Sequence, residues 1–386
     1  MNITNKHSLS YHPINKGTRS SLRWKVNDSL ITGISAVDTL LPVGRGQRQL
    51  IIGDRSIGKT SIFIMILIIS SYFSYYTSIN SLGSKRLLCI YIGMNQNLSK
   101  IYKLMNYLYY SILFILLSTH SSSTALLSFI ISLVGVSIIE RLRDRGFDCV
   151  ICYDDCIQHA KSYRQISLIL SKIPSRDAYS ADIFNIHASI LERSSGSCIK
   201  YGSNRVNDNG SITSYPIIET INSNISDFIA TNVISITDGQ IYLDRKLFLD
   251  NIRPSIDSAL SVSRIGSSAQ SQWIKRVSSG IKNTLTYLRK ETQWNTNKRL
   301  LNLLNSLNII YYTYHLMVNT IELSLILLLC YNVGIMLESL YKRSCFEYGL
   351  FMDWFILYYV VCISYFIYNE YLRCWLTGVL RWVGVF

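Results

Sequence analysis

The chain has 386 residues, enough to bury a sizeable core and to hold two or three domains. Its formal charge of +14 is large, yet the basic residues are spread out and the high Ile, Tyr, Asn, Ser and Lys content reflects AT-rich codons, so the charge does not mark a nucleic-acid surface. Nine cysteines, an odd number scattered over the chain, argue against a disulfide framework and for a reducing or matrix-like compartment.

The first 25 residues carry no acidic side chain and several Ser, Lys and Arg, as an organelle-targeting segment or a flexible leader would; residues 1–26 are set apart as such an extension. Patterned sequence begins near Ile31. Leu50 to Ile66, LIIGDRSIGKTSIFIMI, reads as a buried strand over Gln49 to Gly53, a turn, and an apolar helix starting at Ser61. Between them runs Gly53-Asp54-Arg55-Ser56-Ile57-Gly58-Lys59-Thr60-Ser61, the spacing of a phosphate-binding loop. The two glycines permit backbone angles that turn amide N–H groups inward, so that they and the helix N-terminus cradle phosphate oxygens. Lys59 is expected on the terminal phosphates and the Thr60 hydroxyl on a magnesium ion.

Further short apolar strands are expected at Leu87–Gly93, Ile112–Ser118, Cys149–Tyr153, Ile183–His187 and Val233–Thr237, alternating with helical segments. That rhythm predicts an α/β fold, a parallel sheet covered by helices, over about Ile31 to Lys282. Cys149 and Cys152 form a CxxC only nominally, because a strand sends residues three apart to opposite faces. The strand VICYDD ends in Asp154 and Asp155; a carboxylate there, beside the phosphate loop, can hold the magnesium through water and complement Thr60, and Asp154 is the choice for that role.

Two stretches support a membrane protein as a rival. Leu104 to Ile139 contains no Lys, Arg, Asp or Glu, and Trp354 to Tyr368 is apolar apart from its hydroxyls. The first is broken by STHSSST into a strand-like and a helix-like piece; the second falls short of the roughly 20 residues a span needs. Burial inside an assembly gives the same signal. After Arg289 helical periodicity takes over, which predicts a separate helical domain over 291–386.

The stretch TGISAVDTLLPVGRGQRQLIIGDRSIGKTS, followed in order by ERLRDRGFDCVICYDD, KSYRQISLIL, ATNVISITDGQIYLDRKLF and IRPSIDSALSVSRIGSSAQ, resembles the alpha subunits of F-type ATP synthase over roughly residues 27–290. The resemblance implies a RecA-like core that binds ATP or ADP with Mg2+. It implies an alternating hexameric ring with beta subunits, around a central stalk and beside a peripheral stalk, peripheral to the matrix side of the mitochondrial inner membrane. Gln96 matches the place where the catalytic beta subunit has a glutamate that polarises the attacking water; an amide cannot act as that base, which favours binding without turnover. Arg264 matches the arginine that the alpha subunit extends into the neighbouring beta site, where a guanidinium neutralises charge during phosphoryl transfer. Phe248, Arg253 and Pro254 match positions around the adenine.

The sequence departs from the pattern at several places. Ser56 and Ile57 replace the loop's usual Gln-Thr, and Ser306 and Asn308 stand where adenine-contacting glutamines are expected. The β-barrel crown of the family has no counterpart in the 30 or so residues before the nucleotide domain, so a separate crown polypeptide or a fragment is expected. The helical region is strongly diverged, and its apolar faces suit lineage-specific partners. Two rivals stay open: a self-sufficient hexameric ATPase such as an export motor or a Rho-like helicase, which needs a carboxylate near Gln96, and a membrane protein with an accidental phosphate loop.

Overall fold

The computed structural model describes residues 25–80, 87–108, 114–196, 210–250, 254–270 and 275. The leader up to residue 24, Arg253, Ser306, Asn308, Trp354–Tyr368 and the expected helical region 291–386 lie outside the described residues.

The described chain enters through a short antiparallel pair, β1 (Ser29–Leu30) and β2 (Val43–Gly44), with α1 (Ser35–Leu40) between them. Then follow β3 (Gln49–Asp54), α2 (Lys59–Asn80), β4 (Leu87–Gln96), α3 (Leu98–Leu108), β5 (Phe114–His120), α4 (Ala125–Asp144), β6 (Asp148–Asp154) and α5 (Cys156–Ile169). The second half adds α6 (Ile183–Leu191), β7 (Ser211–Thr220), α7 (Phe228–Ile236), β8 (Gly239–Leu243), α8 (Arg245–Leu249) and β9 (Val262–Ser263). Seven strands form one sheet in the order β5-β4-β6-β7-β3-β8-β9; each neighbouring pair is parallel except β8–β9.

A parallel sheet with helices on both faces buries its strands completely, which is why these strands read as apolar runs rather than alternating ones. The period of two then divides each run between two cores. Leu50, Ile52, Ile90, Ile92, Ile151 and Tyr153 join the cluster that includes residues of α4 to α7. On the other face Phe63 of α2 packs on Tyr91 and Tyr215, with ring centroids 6.2 and 5.7 Å apart. Gly135 brings α4 close to the sheet: a Cβ there would lie 2.3 Å from Ile92 Cδ1. α4 alone among the described helices is long and apolar enough to cross a membrane; as a crossover helix it packs against β4, β6 and α5, while Leu126 and Leu127 at its start stay exposed. The buried end of α4 is held by a bidentate pair in which Arg193 Nε and Nη2 donate to Glu140 at 2.9 and 2.6 Å.

Four of the expected strands are present, at β3, β4, β5 and β6, the break at STHSSST falling between β5 and α4. Two are helices instead. Ile183–His187 opens α6, and Val233–Thr237 falls on the end of α7 and its cap. Their buried residues, Ile183, His187, Ile190 and Leu191 in one and Ile229, Ala230, Val233 and Ile236 in the other, recur at helical spacing, which a five-residue window cannot distinguish from a short strand. The strands actually used there are β7 and β8. Ser211–Thr220 hides its character behind Ser, Thr and a proline, and Pro216 sits in register with Tyr153 in the middle of the sheet.

Candidate functional site

Because β3, β4, β6 and β7 are parallel, their C-terminal ends share one edge of the sheet, where ligands of open α/β folds bind. The residues ending those strands, with the loop after β3 and the starts of α2, α3 and α5, enclose a cavity of about 490 Å³, within the usual range for a ligand site. Arg55, Ser56, Gly58, Lys59, Thr60, Ser61, Gln96 and Asp154 from the sequence reading line it.

The loop has the shape its sequence requires. Gly58 has φ +97°, which a side chain rarely adopts, and open space faces it. Ser56 takes φ +65° without being glycine. Gly53 fits against β8 only without a side chain, since a Cβ would meet Leu243 Cβ at 2.9 Å. Asp54 braces the loop from behind: it accepts from Thr220 Oγ1 at 2.7 Å, from Ser223 N–H at 2.7 Å and from Ser223 Oγ at 3.1 Å. Burial works against its ionised form, but these bonds and Arg245 outweigh it and hold the carboxyl below its ordinary range. Lys59 donates to the carbonyls of Gly53, at 3.0 Å, and of Asp54. Burial also lowers its ammonium below the usual range, against the pull of Glu219, Asp155 and Asp154.

Thr60 Oγ1 lies 3.3 Å from Asp154 Oδ2, so two hard oxygen donors meet at the head of α2. Asp154 is almost fully buried and also accepts from Tyr91 OH and from Lys100 Nζ at 2.9 Å. Gln96 is turned into the same corner: its Nε2 donates to Asp154 O at 3.1 Å. What aims it is Asn95, at φ +53°, whose N–H donates to Thr119 Oγ1 at 3.1 Å and whose side chain accepts from Ser128 Oγ at 2.5 Å. The oxygens of Thr60 and Asp154 suit Mg2+, and the open loop with its buried lysine suits a polyphosphate.

The profile of the ATP synthase alpha/beta family, nucleotide-binding domain, matches residues 33–263. The chain belongs to this family. Its relatives include the ATP synthase subunit alpha of Carsonella ruddii (strain PV), 43% identical over 277 residues, which are 69% of this chain and 54% of that protein. The mitochondrial ATP synthase subunit alpha of Dictyostelium citrinum is 41% identical over 274 residues, 69% of this chain and 49% of that protein. The ATP synthase subunit alpha of Neorickettsia sennetsu (strain ATCC VR-367 / Miyayama) is 40% identical over 289 residues, 73% of this chain and 54% of that protein. The chain thus spans about half the length of the curated relatives it matches.

Within this family member the other predicted residues fall in two places. Half-buried Phe248, on α8, and buried Pro254 follow β8, at the same sheet edge as the loop. Arg264 does not. It follows β9, which runs antiparallel to β8 with Ser263 opposite Gly239, and its N–H donates to Asp238 O at 3.0 Å. Since Gly53 stands opposite Leu243 on the other side of β8, the length of that strand separates Arg264 from the loop, roughly 13 Å at 3.3 Å per residue. Arg264 is exposed at the N-terminal edge of the sheet, away from the cavity on its own chain.

Several cavity residues escaped the sequence reading: Asn95, Asn97, Lys100, Gln158 and Glu219; Asp155 was noted only as the neighbour of Asp154. Glu219 was hidden with its strand β7. Asp155 caps α5 through Ile157 N–H at 3.1 Å; the pair of acids in VICYDD was the available signal for it. Burial pushes its carboxyl up to about 7, helped by Asp154 and Glu219 and opposed by Ile157 N–H and Lys59.

Proposed function

We propose that the chain is the alpha-type, non-catalytic nucleotide-binding subunit of the catalytic head of a mitochondrial F-type ATP synthase. It holds Mg-ATP or Mg-ADP in its own cavity and lends Arg264 to the adjacent beta subunit, where ADP and phosphate are joined at the expense of a proton gradient. The observation that carries this reading is the separation of Arg264 from the chain's own phosphate loop: an exposed arginine at the opposite sheet edge is out of reach of its own cavity and free to meet a neighbouring subunit. Gln96 agrees with it, since the residue aimed at Asp154 is an amide that can orient a water and cannot take its proton.

In that role Lys59 and the N–H groups at the start of α2 bind the phosphates, Thr60 and Asp154 hold the magnesium, the latter through water, and Phe248, Arg253 and Pro254 border the adenine. Beta subunits alternate with this chain around a central stalk, with a peripheral stalk outside, and the whole is peripheral to the matrix side of the inner membrane. The domain plan of this reading is a leader over 1–26, a RecA-like domain over 27–290 and a helical region over 291–386.

The test replaces Arg264→Ala in the assembled complex and follows ATP hydrolysis. Loss of an arginine donated in trans lowers the rate by about a thousandfold or more while nucleotide binding by this chain persists. Unchanged hydrolysis overturns the assignment. So does steady ATP turnover by the chain alone that Glu219→Gln abolishes, which would make Glu219 the missing base.

A further inference from the structure

Asp154 Oδ2 accepts from three donors at once: Tyr91 OH, Thr60 Oγ1 at 3.3 Å and Lys100 Nζ at 2.9 Å. Tyr91 is buried beneath the sheet edge and Thr60 opens α2, so both belong to the frame of the cavity. Lys100 differs. Its side chain, 39% exposed, reaches in from the first turn of α3 to a carboxylate whose own side chain is only 5% exposed. It thereby places a full positive charge on the one oxygen that, with Thr60, marks the cation position of the cavity.

Magnesium keeps several waters at about 2.0–2.1 Å and reaches a second carboxylate through one of them, which puts the ion roughly 4 Å from that carboxylate. An ammonium bonded at 2.9 Å occupies the same neighbourhood. The two cations do the same work there, since either one offsets the charge of Asp154 and of an incoming polyphosphate. They also repel each other, so a metal that binds at Thr60 must displace Lys100 from Oδ2 and forfeits part of what it gains.

We propose that Lys100 is a built-in counter-ion that stands in for the divalent cation at Asp154, so that the chain binds nucleoside di- and triphosphates almost as tightly without magnesium as with it. The inference rests on the reading of this cavity as the nucleotide site. It makes Lys100 a binding residue that sets how far the site depends on metal, and it predicts that an arginine at this position serves equally well.

The experiment measures the affinity of the full chain for a fluorescent ATP analogue in excess Mg2+ and in EDTA, with unlabelled ATP as competitor. The wild-type protein should lose no more than about threefold when the metal is removed. Lys100→Gln should lose about tenfold or more, the worth of one charge-assisted hydrogen bond, with the loss confined to EDTA, and Lys100→Arg should behave as the wild type. Equal losses in the wild type and Lys100→Gln overturn the proposal. Failure of a folded wild-type chain to bind the analogue in either condition overturns the nucleotide reading itself, and this inference with it. Circular dichroism reports the fold in each case.

Discussion

The two edges of the parallel sheet are built differently. The C-terminal edge gathers Asp54, Lys59, Gln96, Asp154 and Asp155, all buried, and satisfies them with side chains and loop carbonyls around a cavity. At the N-terminal edge, among the described residues, the polar groups beside Arg264 bond one another: buried Gln47 donates through Nε2 to Oε1 of buried Gln49 at 3.0 Å and to Ser263 Oγ at 3.3 Å. The frame of this edge is Asp238, which accepts from Arg48 N–H and Nε at 3.0 Å each and from Arg48 Nη2 at 2.7 Å, while its backbone carbonyl accepts from Arg264 N–H. One edge is organised to hold a ligand; the other fixes a backbone and leaves a guanidinium outside. A single domain therefore presents a polar cavity at one edge and an exposed arginine at the other.

Three substitutions sharpen that contrast, in addition to the Arg264 and Lys100 variants. Asp238→Ala strips the partner from Arg48 and loosens the clamp on β9. Since both side chains are largely buried, at 18% and 12% exposure, the expected loss is about 3 kcal/mol, read as a lower urea midpoint. Nucleotide affinity should stay within twofold; a large drop would show that the edges are coupled. Lys59→Ala acts on the other edge, with affinity for ATP falling by about a hundredfold, or ~2.7 kcal/mol, and little change in the urea midpoint.

The smallest effect on nucleotide affinity comes from Asp155→Asn. In the folded chain this carboxyl stays protonated up to about pH 7, against an ordinary value of 3.8, so it adds negative charge beside the phosphates only as pH rises through 7. Wild-type nucleotide affinity should therefore fall between pH 6 and 8 by at most about tenfold, and the asparagine variant, which can still cap α5, should be flat over that range. The same raised value means the folded state holds an extra proton between pH 3.8 and about 7. Stability from this group is thus greatest at the acid end and declines by ~1.4 kcal/mol per pH unit across that window. A urea series at several pH values should show Asp155→Asn removing that slope.

How much of this could be read from the chain depended on how local each feature is. The phosphate loop is contiguous, and Gly53, Gly58, Lys59 and Thr60 could each be given a place before any fold was known. The strands ending in Gly53 and Asp154 were legible as well, because a central parallel strand is apolar on both faces. β7 was not: Ser, Thr and Pro216 mask it, and its burial comes from its neighbours β3 and β6. With β7 went Glu219. Lys100 was equally invisible, since a lysine in the first turn of an amphipathic helix reads as a solvated face until the helix is placed across from Asp154.

The sequence by itself determined the α/β class, the phosphate loop, the carboxylate that ends a neighbouring strand, and the family, because each is written in short runs whose chemistry needs no distant contact. Only the tertiary structure decided that β7 separates β6 from β3, that Lys100 closes on Asp154, and that Arg264 and the loop face opposite edges. Those facts depend on strand order and register, which arise from long-range packing between segments up to 200 or so residues apart and leave no periodic trace in the chain.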